Sequence, residues 1–226
     1  MKFIVKLFPE ITIKSKPVRK RFIQRLQSNL QVILRRIEEK AIVSGQWDKV
    51  LVDVNVDSAE KKQAIVEALS CTPGIAYFIE VNEYPLGSFH EVYELTRDAY
   101  ADKIAGKSFV VRVKRAGKHE FKSGDLERYV GGGLLQHTDA RAVDLHNPDV
   151  KVQLEVRDQK LYIVENRYEG LGGFPMGSQD GVLSLISGGF DSTVSSYMTL
   201  KRGCKTHYCF FNLGGSAHET GVKQVS

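Results

Sequence analysis

The stretch VLSLISGGFDS, residues 182–192, decides the fold class. Residues 182–186 form a short, nearly unbroken apolar run, the character of a strand buried on both faces in a parallel sheet. The polar loop that follows, Ser187-Gly-Gly-Phe-Asp-Ser192, opens a helical stretch ending at Gly203, and residues 206–211 supply the next strand. Strand, loop, helix and strand make one βαβ unit, so the chain is α/β here. At a helix N-terminus the first N–H groups lack intrahelical partners and the macrodipole is positive, so the loop favours an anion. Gly188 and Gly189 let the backbone approach phosphate oxygens without a Cβ in the way. Ser187 and Ser192 offer hydroxyl donors, and Asp191 is placed to hold a divalent cation or to orient the loop.

Upstream, the octad GLGGFPMG at 170–177 carries four glycines and a proline and is expected to be a linker or shaped loop without regular structure. Before it lies a helical stretch at 89–104, a strand at 109–114, a helix at 123–138, and strands at 150–157 and 161–164 joined at Asp158-Gln159. Arg112, Lys114, Arg115, Lys118 and Lys122 gather on the strand end and its loop, with His119 and Phe121 among them, a pattern that suits a phosphate backbone. A merely solvated basic loop is the plainer alternative.

The chain opens with a strand at 2–7. After Ser15 and Pro17, Val18, Phe22, Leu26, Leu30, Ile33, Leu34 and Ile37 recur at helical spacing. Strands follow at 41–43 and 50–56, then a helix capped by Ser58 and running to Leu69, and a strand at 75–81. This βαββαβ order is the split-βαβ, ferredoxin-like arrangement. The first helix begins with Lys14, Lys16, Arg19, Lys20, Arg21 and Arg25, either a solvated basic face or a further patch for a polyanion. The expected division is a ferredoxin-like domain at 1–60, whose last helix and strand extend to about 81, an RNA-binding α/β module at 61–165, a Gly-rich linker at 166–180, and an incomplete α/β domain at 181–226.

Composition narrows the function classes. The 226 residues are 42% hydrophobic and 26% charged, an ordinary globular balance, with a formal net charge of +5 that suits a polyanionic partner. No run approaches the roughly 20 apolar residues that cross a bilayer, and the first ten residues lack a signal-peptide layout, so neither a membrane nor a secreted protein is expected. Cys71, Cys204 and Cys209 have no metal-type spacing and are expected in packing roles. No metal centre built from side chains alone is expected, and a reducing cytoplasm is the natural setting.

The hexad SGGFDS lacks the lysine of the Walker loop, and no G-x-G-x-x-G is present. It resembles the SGGxDS pyrophosphatase loop of the PP-loop ATPases. Five such fixed positions arise by chance roughly once in several thousand chains of this size. That resemblance implies an ATP-binding set of Leu185, Ile186, Ser187, Gly188, Gly189, Asp191, Ser192, Phe210 and Phe211, with Asp191 also catalytic, and with Mg2+ accompanying ATP. Leu185, Ile186, Phe210 and Phe211 end adjacent strands, where open α/β sheets bind ligands. For the two phenylalanines a core role is the competing expectation.

VRVKRAGKHEF and ERYVGGGL resemble the THUMP domain, which implies a tRNA-binding set of Arg112, Lys114, Arg115, Lys118, His119 and Lys122. With MKFIVKLFPEITIKS and VLSLISGGFDS, the chain resembles the tRNA 4-thiouridine synthase family, also called the thiamine-biosynthesis tRNA sulfurtransferases, along its whole length. The resemblance implies a ferredoxin-like unit, a THUMP module and the first βαβ of a doubly wound adenylation domain. It implies adenylation of O4 of uridine 8 in tRNA, sulfur delivery from a protein persulfide fed by a cysteine desulfurase, sulfur supply to the thiamine thiazole, and a homodimer. The family's sulfur-delivering cysteine has no counterpart here, so this chain is expected to bind tRNA but to be catalytically incomplete alone. An RNA-binding THUMP module without nucleotide chemistry is the alternative.

Overall fold

The computed structural model describes residues 1–225. In chain order the elements are β1 (Lys2–Leu7), α1 (Pro9–Thr12), α2 (Lys16–Arg35), β2 (Ile42–Gly45), β3 (Lys49–Asp53), α3 (Ala59–Ser70) and β4 (Ile75–Pro85). Then come α4 (Phe89–Ile104), β5 (Ser108–Ala116), α5 (Ser123–His137), β6 (Ala142–Val143), β7 (Val150–Arg157) and β8 (Lys160–Gly172). The last are β9 (Val182–Leu185), α6 (Phe190–Lys201), β10 (Thr206–Cys209) and α7 (Gly215–Val225). Two compact units result, one from residues 1, 3–78 and 168–226, the other from residues 2 and 79–167. Of the first unit, only residues to 225 are described.

In the first unit the strand order is β2-β3-β1-β4-β8, with β2 and β3 antiparallel and Val43 opposite Val52. This is the expected βαββαβ topology. Phe22, Ile23, Leu26, Leu30 and Leu34 make a buried stripe on α2, because residues three and four apart share a helix face. Ile65, Val66 and Leu69 do the same on α3, whose predicted cap holds: the Ser58 hydroxyl accepts the Lys61 N–H at 3.1 Å. Phe3 and Phe78 are wholly buried and meet edge to face with centroids 5.9 Å apart, a geometry worth about 0.5–1.5 kcal/mol beyond area burial. β3 stops at Asp53, short of the expected end at 56, yet buried Val54 still donates its N–H to the Met1 carbonyl at 3.0 Å.

Two expectations fail in this unit. The glycine octad holds regular structure after all, since β8 runs through Gly172. Gly170 is there because a Cβ would lie 2.4 Å from the Ile75 carbonyl oxygen, so only glycine allows the strands to come this close. The run at 182–186 is not buried on both faces: Leu183 and Leu185 are 66% and 61% exposed. Among the described residues β9 pairs in parallel with β10 alone, Leu185 opposite Cys209, and α6 covers one face through a Ser184–Ser196 hydroxyl contact of 2.7 Å.

In the second unit the order is β4-β8-β7-β5-β6. β5 lies parallel to β7, and β7 turns antiparallel into β8 through Asp158, which adopts the left-handed region at φ 50°. α4 and α5 cover this sheet with Val92, Tyr100, Ile104, Leu126, Val130 and Leu134 against Phe109, Val111, Val152 and Leu154. α4 starts in a capping box, Ser88 N–H donating to Glu91 Oε2 at 2.6 Å and Glu91 N–H to the Ser88 hydroxyl at 3.2 Å.

Candidate nucleotide and nucleic-acid sites

Of the hexad, Ser187, Gly188 and Gly189 join β9 to α6, with Gly189 as N-cap, and Phe190, Asp191 and Ser192 form the first turn of α6. Gly188 sits at φ 80°, a conformation strained for any side chain. The first main-chain bond of α6 runs from Thr193 N–H to the Gly189 carbonyl at 3.4 Å, so the N–H groups of Phe190, Asp191 and Ser192 precede the helical ladder. Ser192 and Thr193 hydroxyls both donate back to that carbonyl, at 2.9 and 3.1 Å. Ser187, Gly188, Gly189 and Asp191 are exposed and Ser192 half-buried.

These residues fit a phosphate group. A Cβ at Gly189 would meet nothing nearer than the Ser187 hydroxyl at 3.6 Å, so the loop is an open cradle rather than a packed turn. Asp191, exposed in the first turn, would repel a bare anion and so suits a bridging cation; Mg2+ is usually held by one or two carboxylates together with substrate phosphates. Among the described residues no group of three metal-ligating side chains occurs.

The expected adenine contacts fare unevenly. Ile186 lies just past β9 and spends its N–H on the Cys209 carbonyl at 3.0 Å. Phe210 and Phe211 lie beyond β10 rather than at its end. Phe211 is 67% exposed, so the competing core role fails for it. Phe210 is half-buried and packs edge to face on His218, centroids 5.0 Å apart. His218, on α7, is a residue the sequence reading missed; its Nε2 lies 3.0 Å from the Ser187 carbonyl.

On β5, Arg112 and Lys114 alternate with buried Val111 and Val113 and point to one exposed face. Arg112 donates to the Leu145 carbonyl at 3.0 Å and Arg115 to the His119 carbonyl at 3.2 Å. Lys118 and Lys122 are exposed. Phe121 sits beneath the Arg115 guanidinium at 5.8 Å and meets Phe89 edge to face at 5.0 Å. His119 is half-buried, its Nε2 2.7 Å from the Asp158 carbonyl, so it holds the β7–β8 turn as well as bordering the basic face. Asp125, at the start of α5, has its carboxyl held below the usual range first by the Lys122 N–H and then by Arg128.

The cysteines depart from expectation at one position. Cys71 is exposed, not packed: it caps α3 two residues past buried Leu69, about 200° around the helix axis. Cys204 and Cys209 are half-buried.

Comparison with known proteins matches three family profiles in succession: the ThiI ferredoxin-like domain over residues 2–78, the THUMP domain over 87–164, and the Thiamine biosynthesis protein (ThiI) family over 177–226. A tRNA sulfurtransferase of Shewanella denitrificans is 56% identical over the whole chain, which covers 46% of that relative. Another, from Shewanella sp. strain W3-18-1, is 58% identical and 47% covered. The chain thus spans about half the length of these curated relatives. A 4-thiouridine synthetase solved in complex with RNA and bound ATP shares 26% identity at a TM-score of 0.79, over 99% of this chain and 56% of that one. A Pyrococcus horikoshii crystal structure shares the fold at TM-score 0.81 and 19% identity, over 100% of this chain and 74% of that one. Among the described residues no helix is long and apolar enough to cross a membrane. Successive stretches of the chain are thus similar to the ThiI ferredoxin-like domain, the THUMP domain and the Thiamine biosynthesis protein (ThiI) family, and the chain as a whole is similar to about half the length of the tRNA sulfurtransferases of Shewanella.

Proposed function

We propose that this chain supplies the tRNA-docking face and the pyrophosphate-gripping loop of an ATP-dependent enzyme that makes 4-thiouridine at uridine 8 of tRNA. The observation that carries the reading is the open cradle at 187–192 on a helix whose first N–H groups are uncommitted. ATP is the co-substrate: uridine O4 attacks the α-phosphorus and pyrophosphate departs, the terminal sulfur of a protein persulfide then displaces AMP from C4, and a second thiol attacks the inner sulfur of the resulting disulfide, releasing 4-thiouridine and leaving a protein disulfide. In this scheme the N–H groups of Phe190, Asp191 and Ser192 hold the departing pyrophosphate, Ser187 and Ser192 orient it, and Asp191 holds the Mg2+ that screens it. Arg112, Lys114, Arg115, Lys118 and Lys122, with His119 bordering them, dock the tRNA through its phosphates. Backbone at Leu185, Ile186, Phe210 and Phe211 borders the adenine.

The wider reading places the protein in the cytoplasm as a homodimer that takes persulfide sulfur from a cysteine desulfurase and also feeds thiamine thiazole synthesis. The division into domains at 1–60, 61–165 and 181–226, with 166–180 as linker, is part of the same proposal.

The test uses a protein extended to the length of the curated relatives. Asp191→Ala is expected to abolish ATP-dependent 4-thiouridine formation while leaving tRNA affinity unchanged. Full activity in that variant overturns the nucleotide role and leaves an RNA-binding module without nucleotide chemistry.

A further inference from the structure

A second cationic surface lies in the ferredoxin-like part of the first unit. Residues 14–25 hold six lysines and arginines and no carboxylate. Lys16 and Lys20, one turn apart on α2, flank a cavity of about 640 Å³ that is closed on its other side by Gly45 and Trp47 of the β2–β3 hairpin. Gly45 lets the hairpin approach α2 closely at the groove wall, since a Cβ there would fall 2.9 Å from both Gln27 Oε1 and Ile23 Cγ2.

Trp47 is the sole tryptophan of the chain and is 57% exposed, an expensive placement for an indole. One ring face is covered by the Arg19 guanidinium, 3.4 Å from the ring centroid. Among the described residues Arg19 is otherwise held by one hydrogen bond, Nη1 to the Thr12 carbonyl at 3.1 Å, and its buried Nε has no partner. The indole is therefore held beside a cationic groove by one cation–π contact while more than half of the residue stays exposed. A flat aromatic surface beside two ammonium groups matches a base joined to a phosphate, because every base has a π-face to stack and every nucleotide a charge to neutralise. A duplex buries its base faces and cannot use it.

We propose that this groove holds one unpaired nucleotide of an RNA, the base stacked on the exposed indole of Trp47 and the phosphate between Lys16 and Lys20. The proposal rests on the RNA-binding reading above and adds to it a stacking site on a different domain. It explains why the basic opening of α2 lies opposite an exposed indole rather than a carboxylate.

The lone tryptophan makes the test direct. The 226-residue chain is titrated with a short single-stranded oligoribonucleotide and, separately, with a blunt RNA duplex, following Trp47 emission and the anisotropy of labelled RNA together. The single strand is expected to quench the emission saturably, along the same isotherm as the anisotropy, and the duplex to leave it unchanged. Trp47→Ala is expected to weaken single-strand binding about 5- to 150-fold, the span typical of one lost base stack. Trp47→Phe, which keeps a ring, loses less. Binding by anisotropy with unchanged emission overturns the groove while the RNA-binding reading stands. Equal quenching by the duplex overturns the unpaired-nucleotide assignment, and absence of any RNA binding overturns both readings. The emission experiment needs no variant, so it is decisive even if Trp47→Ala fails to fold.

Discussion

His218 Nε2 lies 3.0 Å from the Ser187 carbonyl oxygen, and because a carbonyl only accepts, the imidazole must carry its proton on Nε2. The bond joins α7 to the first residue of the phosphate cradle, and Phe210 braces the ring edge to face. With the carbonyl engaged behind the loop, the donors at its front are free for an anion.

His218→Ala is therefore expected to raise the KM for ATP several-fold with a smaller change in kcat, since it removes one hydrogen bond worth about 0.5–1.5 kcal/mol from a residue that orients rather than reacts. His218→Gln, which keeps a donor, is expected to recover part of the loss. Steady-state kinetics on the extended protein check this; a pure kcat defect would contradict a positioning role.

Arg115→Ala combined with Lys118→Ala is expected to weaken tRNA binding and flatten its salt dependence. Each phosphate contact contributes about −0.9 to the log–log slope on a duplex and about −0.7 on a single strand, so two lost contacts change it by roughly 1.4–1.8. Arg115 also covers the Phe121 ring at 5.8 Å, so thermal melting of the variant separates a docking loss from a packing loss. An unchanged affinity and slope would remove this face from the tRNA footprint.

Three consecutive glycines in α5 make opposed predictions. A Cβ at Gly133 would lie 2.6 Å from the Tyr93 ring, whereas at Gly132 it would meet nothing within 4 Å. Gly132→Ala is expected to stabilise the protein by about 0.5–1 kcal/mol through helix propensity. Gly133→Ala is expected to destabilise it by about 1–3 kcal/mol, because the fit of α5 against α4 leaves no room for a methyl group. Urea denaturation of the two variants measures the difference, and equal signs would refute the packing account.

The parts of this fold that follow local rules were legible in the sequence. The apolar stripe of α2, the Ser58 cap and the βαββαβ order all come from side-chain periodicity and short-range hydrogen bonds, and they stand as read. The SGGFDS loop was legible because glycines, hydroxyls and a helix start coincide within six residues. Long-range geometry was not. β8 runs through Gly170, where the Ile75 carbonyl leaves no room for a Cβ, and Gly172, which sits at φ 72°, requirements invisible from composition. β6 is two exposed residues with no alternation to read, paired in parallel with β5. His218 and Ser187 are 31 positions apart, and Arg19 and Trp47 meet only once α2 and the hairpin have folded together. A lone tryptophan in a short polar hairpin loop was the one available signal for the second pair.

Glu83 is a doubly paired carboxylate of the second unit. It sits with Lys2, to which it is tightly paired, and with Lys160 at 2.6 Å. Burial alone would raise its carboxyl, but the hydrogen bonds from Lys160 and Lys2 together prevail and hold it at about 2. The folded value lies below the unfolded one, so the stabilisation is complete above the ordinary carboxylate range and is lost as pH falls through roughly 4 toward 2. Allowing for solvent screening of partners that remain about a quarter to half exposed, the contribution is about 1–2 kcal/mol. Glu83→Gln is thus expected to lower the unfolding free energy by that amount at pH 7, with the gap from wild type closing on acidification. A gap that persists undiminished at pH 2.5 would show that packing, and not the charge of Glu83, accounts for the loss.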